Sequence, residues 1–428
     1  MSLRELSQSR FVRQAAVLIS GTLLAQGLVI LTSPVMTRIY APAALGLAAV
    51  FTSVINLLSK SSAAYQLAVP IPTEDGEAVT LLQIALLLLA LASVIATVVI
   101  GAAWFLLPNY AWTGSLGEFV WLVPLGVLCY GAFKVLSYWP IRKQNYRLAS
   151  VARFSQAGFL VAVQIVIGLL IGWTGGMIAG VIVGAGMGVV ALWRLKGNQS
   201  GQSLMAFDMR NIKDVAVRYK RFPILTALPM TFESLSSDLP VILFAVFFDA
   251  QVAGFFALST RVLSVPASLL AETLERVFMG EASVRIRESL ASVRRLQIRM
   301  VLGMAAICLP FVLLLVFTGP ALFGWVFGPE WREAGIYVQL LAPMYLFLVI
   351  ASPTQSTLAI VQRPALQIPR VLFHFIMPLA LLIAKWLNVA PREAVLMLSG
   401  AGVLNYLAYL VLAFVAVGQR KYAVTPTA

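Results

Sequence analysis

Apolar runs of about 20 residues recur along the whole chain, and they restrict its fold more than any other feature. A run of this length crosses a hydrocarbon core of roughly 30 Å as an α-helix. In lipid, every backbone N–H and C=O group must find a partner within the protein, which only helices and closed barrels achieve. The period-two alternation of barrel strands is missing, so we expect helices. We count twelve, beginning near Val12, Ala43, Val79, Phe119, Ser150, Gly176, Phe222, Val252, Leu296, Gly335, Leu366 and Arg392.

The composition agrees with a polytopic all-α membrane protein. Of the 428 residues, 60% are hydrophobic and 11% are charged, and the mean hydropathy is +0.91. Soluble domains do not reach these values. The first run lacks a small-residue cleavage pattern, so we interpret it as an uncleaved helix and not as a signal peptide.

The positions of lysine and arginine predict the orientation of the helices. Most of the 31 basic residues fall in the two tails and in the breaks that follow even-numbered helices, as in PIRKQNYR, VRYKRF and VRRLQIR. By the positive-inside rule, these segments and both termini lie in the cytoplasm. The net charge of +14 is therefore interpreted as a topology signal and a contact with anionic lipid headgroups of the bilayer, and no nucleic-acid partner is expected.

A weak internal repeat divides the predicted helices into two groups of six. PVMTRIYAPAALGLAAVF from Pro34 resembles PVILFAVFFDAQVAGFFALS from Pro240, with Gly46 and Gly254 in corresponding places. Because six is an even number, the two halves share one orientation in the membrane. We predict a six-helix lobe at residues 1–195, an amphipathic cytoplasmic linker at 196–221 and a second lobe with the tail at 222–428.

Lys60, in the second predicted helix, requires an explanation, since a charge at the bilayer centre costs about 2.5–3.5 kcal/mol on insertion scales. It belongs to a polar stripe at helical spacing. Two interpretations fit: the side chain reaches the cytoplasmic interface, or the stripe faces a polar lumen, which we favour. The stripe consists of Thr52, Asn56, Ser59, Lys60, Ala63 and Gln66.

The eighth helix has a similar stripe that begins at Arg261. Asp238 on the seventh helix lies at the depth of Arg261, which favours an ion pair between adjacent antiparallel helices. Glu233 lies deeper and is the first candidate for a carboxylate that couples an ion to transport, with Asp238 as the second. Lys134 and Arg38 lie near helix ends, where basic residues serve as interface anchors.

The remaining single residues predict little chemistry. His374, the only histidine, either carries protons or forms a buried hydrogen bond. Cys129 and Cys308 lie within apolar runs, so we expect neither a disulfide nor a metal site. No motif for a cofactor is present, and none is expected.

The distribution of acidic residues favours an anionic ligand. In the first half of the chain no predicted span contains an acid, because each acid falls in a tail or a break. A lobe that binds organic cations needs buried carboxylates, whereas this one offers a buried lysine. The first-half acids are Glu5, Glu74, Asp75, Glu77 and Glu118.

Three segments resemble a known family. SPVMTRIYAPAALGLAAVFTSVINLLSKSSAAYQLAVPIP, YWPIRKQNYRLAS and FPILTALPMTFESLSSDLPVILF are similar to the Wzx-type flippases of bacterial lipopolysaccharide and O-antigen synthesis. These belong to the superfamily of multidrug, oligosaccharidyl-lipid and polysaccharide exporters. The resemblance covers about the first 160 residues and roughly 221–276; in the last third only hydropathy agrees.

The resemblance implies a two-lobe, MATE-like transporter of the bacterial inner membrane. Its substrate would be an undecaprenyl-pyrophosphate-linked oligosaccharide, moved from the cytoplasmic to the periplasmic leaflet, and other polysaccharide assembly proteins are expected partners. A cationic lumen is implied, for which the matching positions are Lys60, Arg38 and Arg261. The chain departs from the family at Gln66, where relatives often have glutamate, and this departure removes one candidate proton site from the second helix.

Two other functions compete with this one. A cation-coupled multidrug exporter of the same superfamily has the same architecture, and the acid-free first lobe argues against it. A membrane enzyme such as a glycan polymerase needs a sizeable outer loop with catalytic groups, and the longest outer breaks here span only about 15 residues. We therefore predict a transporter and no enzymatic activity.

Overall fold

The computed structural model describes residues 10–60, 63–106, 116–194, 209–221, 223, 228–286, 289–354, 356–361 and 373–418. Ten helices in these segments are long and apolar enough to cross a membrane, and two shorter apolar helices occupy the places of the seventh and eleventh predicted spans. No strand is found in the described segments. The all-α polytopic fold is confirmed. The helices are α1 (Arg10–Ile39), α2 (Pro42–Ser59), α3 (Asp75–Leu106), α4 (Val123–Leu136), α5 (Tyr146–Ile171), α6 (Gly176–Arg194), α7 (Met209–Arg218), α8 (Leu228–Phe247), α9 (Ala250–Arg285), α10 (Leu290–Val326), α11 (Arg332–Ala351), α12 (Ile376–Trp386) and α13 (Pro391–Gly418).

Local sequence signals set several helix ends. Pro42 begins α2 after an extended Ala41, in the first-turn position where a missing N–H costs nothing. The Asn145 side chain accepts a hydrogen bond from Leu148 N at 3.1 Å and caps α5. Gly172 ends α5 with a φ of +67°, a conformation that glycine adopts without strain.

The contacts divide the chain into two compact units, Met1–Gly254 and Phe255–Ala428. The boundary lies after Gly254, within the first turns of α9. The two six-helix lobes and the linker at 196–221 stay a prediction.

In the first unit, α5 packs against both α1 and α6. The Tyr40 hydroxyl donates to the Gln164 carbonyl oxygen at 2.7 Å, and the Gln164 amide donates to the Met177 carbonyl oxygen at 2.9 Å. These buried bonds satisfy polar groups that lipid cannot pair.

A close helix crossing joins the start of α2 to the start of α9. A Cβ atom on Gly46 would overlap the carbonyl oxygen of Ala250, and one on Gly254 would overlap that of Pro42. Only glycine permits backbones to approach this closely. The two glycines that correspond in the sequence repeat therefore pack against each other's helix.

The amphipathic helix α7 packs on protein. Its buried Val215 joins a core cluster with Leu81 and Leu82 of α3. The Tyr219 hydroxyl, just beyond α7, donates to the Glu77 carboxylate at 3.2 Å. Burial, followed by the Glu77 charge, raises the pKa of Tyr219. The apolar face of α7 contacts α3 because that helix end supplies both apolar and polar partners.

Arg142 holds the chain segment between α2 and α3. Its side chain is only 8% exposed and contacts the Asp75 carboxylate at 3.1 Å. Its guanidinium also donates to the carbonyl oxygens of Val69 at 3.1 Å and Pro72 at 2.6 Å. A planar guanidinium has five donors in fixed directions, so one side chain fixes several turns of this segment.

We expect Arg142→Ala to destabilise the protein by about 2–3 kcal/mol, since hydrogen bonds to charged groups are lost and the carbonyl groups keep no replacement donor. The measurement is thermal unfolding of purified protein in detergent. Arg147→Ala is the control, because Arg147 is exposed on the neighbouring helix. Equal melting temperatures for the two variants would contradict the stabilising role of Arg142.

In the second unit, α11 packs against α10, and α13 packs against both α11 and α12. The Ser259 hydroxyl of α9 donates to the Ala334 carbonyl oxygen at 2.7 Å. Trp331 is buried edge-on against Phe255, with ring centroids 5.9 Å apart. His374 lies 3.1 Å from the Tyr409 hydroxyl through Nδ1, which agrees with a hydrogen-bonded imidazole.

Candidate functional site

The end of α2 differs from the sequence prediction. The polar stripe assumed one continuous helix, but α2 ends at Ser59, Lys60 is its C-cap, and Gln66 belongs to a separate short helix, Ala63–Gln66. The Ser59 hydroxyl bonds back to the Ile55 carbonyl oxygen at 2.5 Å. Side chains of this type compete for backbone groups and weaken helices. The break turns the end of α2 into one wall of a cleft.

The cleft has a volume of about 390 Å³ and lies within the first unit. Its walls come from the end of α2, the short helix that follows, α4, the turn after α4, and α5. Of the lining residues that the structure describes, three are cations and none is acidic. The lining residues are Ser59, Lys60, Gln66, Phe133, Lys134, Ser137, Tyr138, Ile141 and Arg153.

Lys134 is held by a chain of two hydrogen bonds. Its ammonium donates to Asn56 Oδ1, and Asn56 Nδ2 donates to Asp238 Oδ2 at 2.5 Å. The ammonium also lies 4.6 Å from the centre of the Tyr130 ring. A cation over an aromatic face is stabilised by the ring quadrupole without losing its charge. Three helices, α2, α4 and α8, are thereby joined through the Asn56 amide.

Arg153 and Gln66 add a hydrogen-bond donor and a hydrogen-bond acceptor to the lining. Arg153 Nη1 donates to Thr22 Oγ1 at 2.6 Å, which fixes the guanidinium on α5. Gln66 is 7% exposed, and its Oε1 atom has no hydrogen-bond partner among the described residues. A buried acceptor without a donor costs free energy unless a ligand or water supplies one. The cleft thus combines cationic groups with a neutral acceptor.

The structure brings together some of the predicted site residues. Lys60, Ser59 and Gln66 line the cleft, while Asn56 and Asp238 stand behind Lys134. Arg38 is exposed at the end of α1.

The other predicted residues lie elsewhere. Arg261 belongs to the second unit, so its predicted ion pair with Asp238 stays a prediction. Glu233 lies on α8, but its side chain is outside the described residues.

Sequence reasoning missed two of the three cations. Lys134 was interpreted as an interface anchor, and Arg153 was not singled out. One signal was present: Tyr130 and Lys134 are four residues apart on α4, which places ring and ammonium on one face. The part of the chain that the structure describes contains no group of three or more His, Cys, Asp or Glu residues able to hold a metal ion.

Comparison with known proteins assigns the family. The sequence model of a family described as polysaccharide biosynthesis proteins matches residues 35–335. The chain belongs to this family. Among curated proteins, a search found no significant match.

Solved structures share the fold. A multidrug resistance MATE family transporter of the MOP superfamily, in an inward-facing conformation, matches with a TM-score of 0.69 and 12% identity, over 95% of this chain and 100% of that one. The lipid II flippase MurJ, in an inward closed conformation, matches with a TM-score of 0.67 and 12% identity, over 95% and 90%. A variant of the Vibrio cholerae MATE transporter VcmN matches with a TM-score of 0.52 and 14% identity, over 94% of each chain. The chain is a multi-pass membrane protein with the fold of this superfamily.

Proposed function

We propose that the protein is a flippase that moves an undecaprenyl-pyrophosphate-linked oligosaccharide from the cytoplasmic to the periplasmic leaflet of a bacterial inner membrane. The product would serve surface polysaccharide synthesis, as O-antigen, capsule or exopolysaccharide. The observation that carries the proposal is the cleft of Lys60, Lys134 and Arg153, whose described lining contains no acidic residue. Family membership supports the polysaccharide context.

The diphosphate is the part of this substrate that resists transfer through a medium of low dielectric constant. Ammonium and guanidinium groups offset that cost by charge-assisted hydrogen bonds, which are stronger than neutral ones. Arg153 suits a phosphate because its planar donors match two oxygens at once. The three cations of the cleft therefore bind the charged group while it leaves the headgroup region.

The sugar portion needs a different partner. Glycan hydroxyl groups donate as well as accept, and the unpaired Oε1 atom of Gln66 accepts a hydroxyl donor. In this role Gln66 replaces the glutamate common at that position in the resembling family. Movement of the intact lipid-linked glycan breaks no covalent bond, so neither a catalytic residue nor a cofactor is required.

The remaining predicted residues have secondary places in the proposal. Arg38 and Arg261 are proposed as further cations along the path, and Glu233 as a residue that couples an ion to transport. Both termini and the basic segments are proposed to lie in the cytoplasm.

We expect the purified protein, reconstituted in proteoliposomes, to accelerate flipping of an undecaprenyl-pyrophosphate-linked oligosaccharide above the rate in protein-free vesicles. Flipping is measured as accessibility of the glycan to an added glycosidase. An unchanged rate with the cognate glycan would reject the proposal. Extrusion of organic cations by the same vesicles would then favour the second candidate, a cation-coupled multidrug exporter.

A further inference from the structure

Asp238 does not line the cleft, but its carboxylate interacts electrostatically with Lys134, which does. Lys134 interacts electrostatically with Lys60 and Asp238. Asp238 in turn interacts electrostatically with Lys134 and Lys60. No carboxylate is found among the cleft-lining residues within the described segments. Among the described residues, the negative charge that acts on the two cleft lysines thus comes from Asp238 on α8 and not from the cleft wall.

Asn56 is the only link in the hydrogen-bonded chain that both accepts and donates. Its Oδ1 atom accepts from Lys134, and its Nδ2 atom donates to Asp238 at 2.5 Å. An amide has both functions on one planar group. Leucine supplies neither, and an ionised aspartate accepts only, so it would repel Asp238. The side chain at position 56 therefore decides whether Lys134 and Asp238 are connected.

On the basis of the flippase proposed above, we infer that Asp238 is an internal counter-anion for the cationic cleft. We further infer that Asn56 releases Asp238 when an anion binds in the cleft. An incoming diphosphate attracts the Lys134 ammonium away from Asn56. Asn56 then loses the cation that orients its amide, and its hold on Asp238 weakens. Occupancy of the cleft by an anion thereby weakens the hydrogen bond from Asn56 on α2 to Asp238 on α8. This hydrogen bond is called the tie below.

The tie has the properties of a two-state coupling element. A ligand shifts a conformational equilibrium only by its differential affinity for the two states. Here the differential affinity arises because Lys134 is shared between Asn56 and the ligand. By linkage, a change that weakens the tie must also strengthen anion binding.

This reciprocity supplies the test. The full-length protein in nanodiscs is titrated with inorganic pyrophosphate by calorimetry. We expect Asp238→Asn to bind pyrophosphate about 5- to 20-fold more tightly than the unmodified protein, the range typical of coupling between sites. Its flipping rate in proteoliposomes should fall, because the new amide keeps a neutral hydrogen bond to Asn56 but removes the negative charge that anion binding would otherwise release. Unfolding of a variant cannot produce tighter binding.

A second variant and a control complete the design. Asn56→Ala removes both hydrogen bonds and should also tighten pyrophosphate binding, so a folding defect in one variant leaves the other available. Asp249→Asn is the matched control: Asp249 is exposed and caps α9 through Val252 N at 2.7 Å, a bond that asparagine can also accept. Its affinity for pyrophosphate should not change.

The outcomes separate the two proposals. If the unmodified protein does not bind pyrophosphate, or if Lys134→Ala leaves its affinity unchanged, the cleft is not the anion site and the proposed function fails. If Lys134→Ala weakens binding while Asp238→Asn and Asn56→Ala leave it unchanged or weaker, the flippase proposal stands and the counter-anion role of Asp238 is overturned.

Discussion

Replacement of Lys134 by alanine is expected to slow flipping in proteoliposomes by about 10- to 100-fold, the equivalent of one hydrogen bond to a charged group. Lys134 lines the cleft and is held in place by Asn56 and the Tyr130 ring. Lys60→Ala should act in the same direction, because Lys60 borders the same cleft. The measurement is the initial rate of glycan exposure to the glycosidase.

Two controls separate a charge effect from a general loss of protein. Lys220→Ala removes a basic residue that is exposed on the segment after α7, and its flipping rate should equal that of the unmodified protein. Lys134→Arg keeps the charge and should retain more activity than Lys134→Ala. Full activity of Lys134→Ala at equal protein content would remove the cleft from the transport mechanism.

The second large effect is expected from Gly46→Ala. The new methyl group would overlap the Ala250 carbonyl oxygen, so α2 and α9 must separate at their starts. Overpacking of a tight contact typically costs about 1–3 kcal/mol, occasionally more, and here the obstacle is backbone and cannot rotate away. A lower melting temperature in detergent is the expected result.

Gly186→Ala provides the comparison for this substitution. Gly186 lies in α6, and a Cβ atom there has no heavy atom within 4 Å. Alanine favours a helix interior over glycine by about 1 kcal/mol, so this variant should be as stable as the unmodified protein or more so. If both variants melt alike, the crossing at Gly46 does not stabilise the fold.

The helical architecture was predictable because membrane insertion acts on each run separately. Length and hydropathy decide whether a segment spans, and neither requires knowledge of its neighbours. The repeat that relates Gly46 to Gly254 was also visible, since both follow a Pro-Val pair. The repeat does not predict that the two glycine positions contact each other's helix, because that contact depends on how the helices pack.

The site was only partly predictable for the same reason. Lys60 stood out because a charge in an apolar run costs free energy wherever the helix lies. The roles of Lys134 and Asn56 depend on partners from α2, α4 and α8, which helical spacing within one segment does not specify. The end of α2 at Ser59 was missed because the periodic stripe continued past it, while Ser59 was not weighed as a helix-weakening residue.

The cleft also has an electrical consequence. By formal charge, Lys60, Lys134 and Arg153 with the Asp238 carboxylate leave the empty site with an excess of two positive charges. A doubly ionised diphosphate cancels this excess, so the loaded site is close to electroneutral. A membrane potential does work of about 2.3 kcal/mol per elementary charge per 100 mV, and it acts on whichever form carries net charge. Under the proposed function, the voltage dependence of the cycle therefore belongs to the return of the empty protein, and the cell's potential sets how quickly the cleft becomes available again.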